Sequence, residues 1–265
     1  RMLMSLVKVG IPLLVYIMTS HLVTDTGRVV LSIFYPIQIM GYYSFASSLT
    51  NAVFLGLNAV MWAIQPTVLS KTRNGIETDI VSKFVYNVND LYRTAVFLVI
   101  FMIILVLPLF FVLLPAYKPI GRALVVLLLA KVVSSLSFGY NTMAIARGKQ
   151  FQVASISIAS AIVSTVLSII VALLGLDFIW IAIAIFIGVS FYTMLQIRLG
   201  ENLLNGIDKI TREKWLELLP PGNLAALTCI FVGSLTGYIT LGYFVGVIIF
   251  TFTNIKIHSK FREIC

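Results

Sequence analysis

The chain has 265 residues, of which 60% are hydrophobic and 11% charged, with a formal net charge of +9 and a mean hydropathy of +1.03. A soluble globule carries roughly a quarter of its residues as charges, so this composition excludes one and indicates an all-α polytopic membrane protein. Cys229 falls in a predicted span and Cys265 ends the chain, which excludes CxxC chemistry and a disulfide framework; no redox function, metal or cofactor is expected.

Apolar segments predict about eight transmembrane helices, over 6–34, 43–69, 95–114, 121–144, 153–174, 179–195, 224–239 and 241–253. The first segment lacks a small-residue cleavage site, so a cleavable signal peptide is not expected, and its leading Arg1 points to a processed or truncated chain. Its polar residues His21, Asp25, Arg28 and Ser32 are spaced four, three and four apart, which places them on one helical face. Asp25 can pair with Arg28, and His21 can reach Asp25 from one turn away. That face is either a structural ion pair or a site that handles substrate or protons, with His21 and Asp25 as the coupling candidates.

The second segment carries Ser44, Asn51, Asn58 and Gln65 at seven-residue intervals, a single seam that either packs against a neighbour or lines a wet path. Pro66 is placed to kink its end and Pro108 to bend the third segment. Residues 70–93, polar and mixed in charge, read as a loop with a short surface helix. Lys118 and Arg122, in the short LPAYKPIGRA connection, read first as solvated cations.

In the fourth segment Lys131 sits alone in an apolar run, some ten residues or roughly 15 Å beyond Gly121. A charge near the bilayer centre costs at least about 2.5–3.5 kcal/mol, so it normally faces a bundle interior or a wet cavity. One reading is an anion contact inside a transport cavity, extended by Ser134, Ser135, Asn141 and Thr142; the other is a snorkelling stem. Ser157, Ser160, Ser164 and Ser168 give the fifth span a small-residue stripe for close packing. Residues 200–221 read as an amphipathic linker, with Asp208, Lys209 and Arg212 opposite apolar positions and Pro220 and Pro221 ending it. The last two segments are short and read as two spans or as a re-entrant hairpin.

Lys and Arg divide unevenly between the two sets of connections. Only Arg28, Lys118 and Arg122 fall on one side, so both termini are expected in the cytoplasm, and the positive charge reflects topology rather than a nucleic-acid surface.

The order GIP at Gly10, a long apolar helix, Arg28 thirteen residues before Gly41, then GYYSFASS at 41–48, AIQP at 63–66 with Ser70, and ARGK at 146–149 resembles the polysaccharide flippases of the multidrug/oligosaccharidyl-lipid/polysaccharide exporter superfamily. The resemblance covers roughly 9–199. It departs from the family's Asp-Arg pair in the first helix, because Gly27 precedes Arg28 and the nearest acid is Asp25. The resemblance implies a six-helix exporter-type C-terminal lobe over 1–199, a linker over 200–221, and two additional helices with a tail over 222–265. It further implies a separate N-terminal lobe and a bacterial or archaeal plasma membrane. The implied function is transport of a polysaccharide repeat unit on an isoprenoid diphosphate by alternating access.

In that reading Lys131 and Arg28 supply cationic charge to the diphosphate, and Asn51, Asn58, Gln65 and Asn141 line the lumen. The lipid-linked oligosaccharide, membrane lipids, the N-terminal lobe and the polymerase and glycosyltransferases of polysaccharide synthesis are its expected partners. The alternatives are a drug/cation antiporter of the same superfamily, for which Asp25 is the one carboxylate the sequence offers, and a non-transporting membrane protein of polysaccharide biosynthesis. A membrane enzyme is disfavoured, since His21, His258 and isolated acids form no cluster.

Overall fold

The computed structural model describes residues 2–73, 78–205, 221–236 and 241–249, and every regular element among them is helical. In chain order these are α1 (Met2–Phe34), α2 (Ile37–Arg73), α3 (Thr78–Leu113), a 3-10 turn (Pro115–Ile120), α4 (Gly121–Ser135), α5 (Phe138–Ala146), α6 (Gln150–Leu173), α7 (Phe178–Asn205) and α8 (Pro221–Thr236). A further helical stretch occupies 241–249.

The expectation of about eight crossings is larger than the described residues support. Three helices are long and apolar enough to span a membrane, Val85–Leu113, Gln150–Leu173 and Phe178–Leu204, and a fourth is added if α4 and α5 count as one broken span. The α8 helix has 16 residues, about 24 Å at the helical rise, which is short of the 30 Å core. The 241–249 stretch packs back on α8. A Cβ on Gly242 would lie 2.6 Å from the Cys229 carbonyl oxygen and one on Gly246 3.1 Å from that of Ala226, the close contact that glycines four apart permit.

Two other expectations change. Residues 78–93 form no separate surface helix but the first turns of α3. Val85, Val88, Asn89, Arg93, Val96, Phe97 and Ile100 recur at three- and four-residue spacing and are all buried, and Arg93 is neutralised by Asp90 at 2.9 Å one turn earlier. Residues 200–205 continue α7, while 206–220, which hold the rest of the expected linker, lie outside the described residues.

The fourth expected span is not continuous. Between α4 and α5 the axis bends by 45°. Hydroxyls cluster at the break, and Gly139 lies just beyond it. Ser135 Oγ donates to the Val132 carbonyl at 2.6 Å and Ser137 Oγ to that of Ser134 at 3.0 Å, beside backbone bonds from Leu136 and Ser137 to Val133 and Ser134. These bonds satisfy carbonyls that a helix end leaves open. On the other side of the break the Gly139 N–H donates to Asn89 Oδ1 of α3 at 2.7 Å, which supplies an acceptor for the start of α5. The ARGK turn that follows is a helix stop: Gly148 has φ +75, and its N–H and that of Lys149 return to Ile145 and Ala144.

Eleven of the 15 residues of α4 are buried. It packs against α2, α3, α7 and α8 and is the axis of the bundle, while α1, α6 and α7 form a tight layer beside it. In that layer Ser157, Ser160, Ser164 and Ser168 are completely buried, Ser164 Oγ donates to the Val23 carbonyl of α1 at 3.0 Å, and a Cβ on Gly188 would stand 2.7 Å from that of Ser164. Gly27 lies equally close to α2 and α7: a Cβ there would meet Tyr43 Oη at 2.5 Å and Ile185 Cδ1 at 2.7 Å. An aspartate before Arg28 has no room in this packing.

Gly188→Leu is therefore expected to destabilise the bundle by about 1–3 kcal/mol or more through overpacking, whereas Gly10→Leu, facing open space, is neutral. Thermal unfolding of the two variants in the same detergent checks this; equal midpoints would contradict the close approach of α6 and α7.

Candidate functional site

Lys131 stands where the buried run of α4 from Ala123 to Ala130 ends. Its side chain faces a small cavity of about 40 Å³ lined by Thr24 of α1, Ser47, Thr50 and Asn51 of α2, Leu127, Ala130, Lys131 and Ser134 of α4, and Ile185 and Val189 of α7. The ammonium makes no hydrogen bond and no ion pair within 4 Å among the described residues; the Asp25 carboxylate acts on it only through space.

The polar groups around it divide by what they can offer. The hydroxyls of Thr24, Thr50 and Ser134 donate to the His21, Ala46 and Lys131 carbonyls at 2.9 Å each, so they present lone pairs to the cavity. Ser47 is different. Its Oγ accepts a bond from Arg28 Nη2 at 3.0 Å, which leaves its own proton free to donate. Lys131, Asn51 and Ser47 are thus the donors, and the leucine, alanine, isoleucine and valine walls keep the remaining side apolar. Such a set suits an anion, or an anion with a water on the acceptor side.

The predicted residues distribute as follows. Lys131 and Asn51 come together in one cavity. Arg28 does not line it but reaches it through Ser47, and it also donates to Ser48 at 3.1 Å and pairs with Asp25 at 3.8 Å. The Arg28 Nε is buried with no partner. Asn141 is carried away by the break before α5 and instead donates to the Tyr16 hydroxyl, leaving its Oδ1 buried and unpaired. His21 is exposed and takes no side-chain bond to Asp25, so the pairing expected between them is absent among the described residues. Asn58 and Gln65 belong to α2, but their side chains lie outside the described residues.

One buried acid escaped the sequence reading, which had offered Asp25 as its lone carboxylate. Glu201 on α7 is 1% exposed and accepts hydrogen bonds from Tyr140 of α5 at 2.8 Å and from Tyr86 of α3 at 3.0 and 3.1 Å. Arg147 closes the same end by donating to the Leu203 carbonyl. Thr193, Gln196, Ile197, Gly200, Glu201 and Leu204 repeat at three, one, three, one and three, and all are buried. That spacing was the available signal. The charge contrast of the following residues concealed it.

Comparison with family models, with curated proteins and with solved structures returns no match.

Replacing Tyr140 by Phe removes a bond to a carboxylate that solvent does not reach. A double-mutant cycle of Tyr140→Phe with Glu201→Gln is expected to give a coupling of about 1–2 kcal/mol in unfolding free energy. Additive single effects would show that the clamp does not hold α5 to α7.

Proposed function

We propose that this chain is one lobe of a plasma-membrane transporter that moves a lipid-linked oligosaccharide across the bilayer by alternating access, with Lys131 as the contact for the diphosphate of the carrier. The observation that supports this most directly is the unpaired ammonium facing a cavity whose other donors are Ser47 and Asn51. Arg28 adds charge at second hand by fixing the Ser47 hydroxyl so that its proton points away from the guanidinium. Its pairing with Asp25 offsets the carboxylate that would otherwise repel an anion.

A cavity of about 40 Å³ holds roughly three waters. The diphosphate therefore enters when α2 or α7 draws back from α4, and the site is completed by a second lobe, whether an N-terminal half or another copy. Rocking of one repeat against another around a midplane site has this geometry. In this reading both termini are cytoplasmic, and the enzymes that build and polymerise the oligosaccharide work on either side of the step.

A second reading, a drug/cation antiporter, is favoured by Glu201, since a buried carboxylate held by hydroxyls is the group that proton or cation coupling requires. The two readings separate by mutation. For the flippase, Lys131→Ala abolishes export and Lys131→Arg retains part of it, because the charge survives while the geometry changes. For the antiporter, Glu201→Gln abolishes transport and Lys131→Ala does not. Complementation of a strain lacking its own flippase, by the complete reading frame and scored against the membrane level of each variant, distinguishes them, because an antiporter does not complement in any form. A fully active Lys131→Ala protein overturns the flippase.

A further inference from the structure

A second, larger cleft lies at the other end of α4 and shares no lining residue with the Lys131 cavity. It measures about 530 Å³ and is bounded by Phe111, Lys118, Pro119, Gly121, Arg122, Asp177, Phe178 and Ile179. Four elements meet there: the end of α3, the 3-10 turn, the start of α4, and the α6–α7 connection. Lys118 and Arg122 are exposed and have no carboxylate within 4 Å among the described residues, although Asp177 lines the same cleft. Phe178 and Ile179 are buried beneath it, and Phe111 gives it an apolar wall.

We propose that this cleft binds the headgroup of an aminophospholipid, with the phosphate on Lys118 and Arg122 and the ammonium on Asp177. Three observations select that occupant. Two unpaired cations and one carboxylate in a single cleft match a group carrying a phosphate and an ammonium, whereas a purely anionic head would leave Asp177 opposed to like charge. The cleft opens where apolar helices end, at the level where headgroups lie. The helix ends beside it are unfit for water: Val112, Leu113 and Leu173 are 76%, 71% and 70% exposed, which continues the contact of a bound lipid from its head to its chains. None of this depends on which way the chain crosses the membrane, nor on the function assigned to Lys131.

The test uses the purified full chain, delipidated and then returned to mixed micelles with phosphatidylethanolamine, phosphatidylcholine or phosphatidylglycerol, and reads retained lipid by native mass spectrometry. Phosphatidylethanolamine is expected to be retained over phosphatidylcholine, whose methylated nitrogen donates no hydrogen bond, and over phosphatidylglycerol, which carries no ammonium. Lys118→Gln and Arg122→Gln should each lower that retention about threefold to fivefold, the scale of one ion pair near a headgroup, and together about tenfold to twenty-fivefold. Asp177→Asn should remove the preference for the ammonium-bearing lipid while keeping binding of the phosphate. Lys149→Gln, beyond α5, should change nothing. Retention indifferent to Lys118 and Arg122, a preference for phosphatidylglycerol in the unmodified chain, or an equal effect of Lys149→Gln would each overturn the assignment.

Discussion

An ammonium on a helix that is buried on nearly all sides is the constraint around which this bundle is arranged. Among the described residues Lys131 has no counter-ion in contact, and burying an ion unpaired in hydrocarbon costs far more than any single packing contact supplies. The bundle answers with a gap rather than a partner. Along α4 the sealed run from Ala123 to Ala130 gives way at Lys131 and Ser134, where α1 and α2 present hydroxyls and an amide in place of aliphatic groups. The ammonium thus keeps polar company without forfeiting its charge to a carboxylate, which is the condition a site needs if the missing partner is to be a ligand.

The gap exists because the layer beside it is unusually tight. Gly188 lets α7 approach the Ser164 backbone of α6, and Ser164 in turn bonds the Val23 carbonyl of α1; in a bilayer such close approach is a main source of helix association, since lipid tails are as apolar as leucine. Gly27 brings Tyr43 and Ile185 against α1 immediately beside Arg28, so the guanidinium is directed at Ser47 and Ser48 rather than into the cavity. Packing thus excludes an acid at position 27, and Asp25, three residues before Arg28, is the carboxylate that pairs with it.

Much of the helical architecture was legible because membranes simplify the code. Long apolar runs gave α1, α2, α6 and most of α7, and the serine stripe gave the face on which α6 packs. The polarity of Lys131 and of the α2 seam pointed to a shared cavity, and Lys131 and Asn51 both line one. What the sequence concealed were features that depend on a partner across the bundle. The break after Ser135 has no proline to announce it, and its hydroxyls, Gly139 and Asn89 act together only once α3 lies alongside. Asn141 followed Lys131 in sequence yet left it in space for that reason. Glu201 was hidden in the reverse way, since a polar stretch looked like a surface linker until two tyrosines from other helices closed over it.

Those two buried centres share α7, and their separation defines what the helix can do. Val189 walls the Lys131 cavity and Glu201 lies twelve residues further, about 18 Å along the axis at the helical rise. A continuous helix carries translation and rotation between such points with little loss, whereas α4 and α5, which face the same two centres, are uncoupled by the 45° break. Any rearrangement that opens the cavity must therefore move α1, α2 or α7 against α4. The clamp of Tyr86 and Tyr140 on Glu201 fixes the far end of α7 to α3 and α5. With that end held, motion around Lys131 falls to the elements outside the clamp, among them α2, whose Ser47, Thr50 and Asn51 are three of the six polar residues that line the cavity.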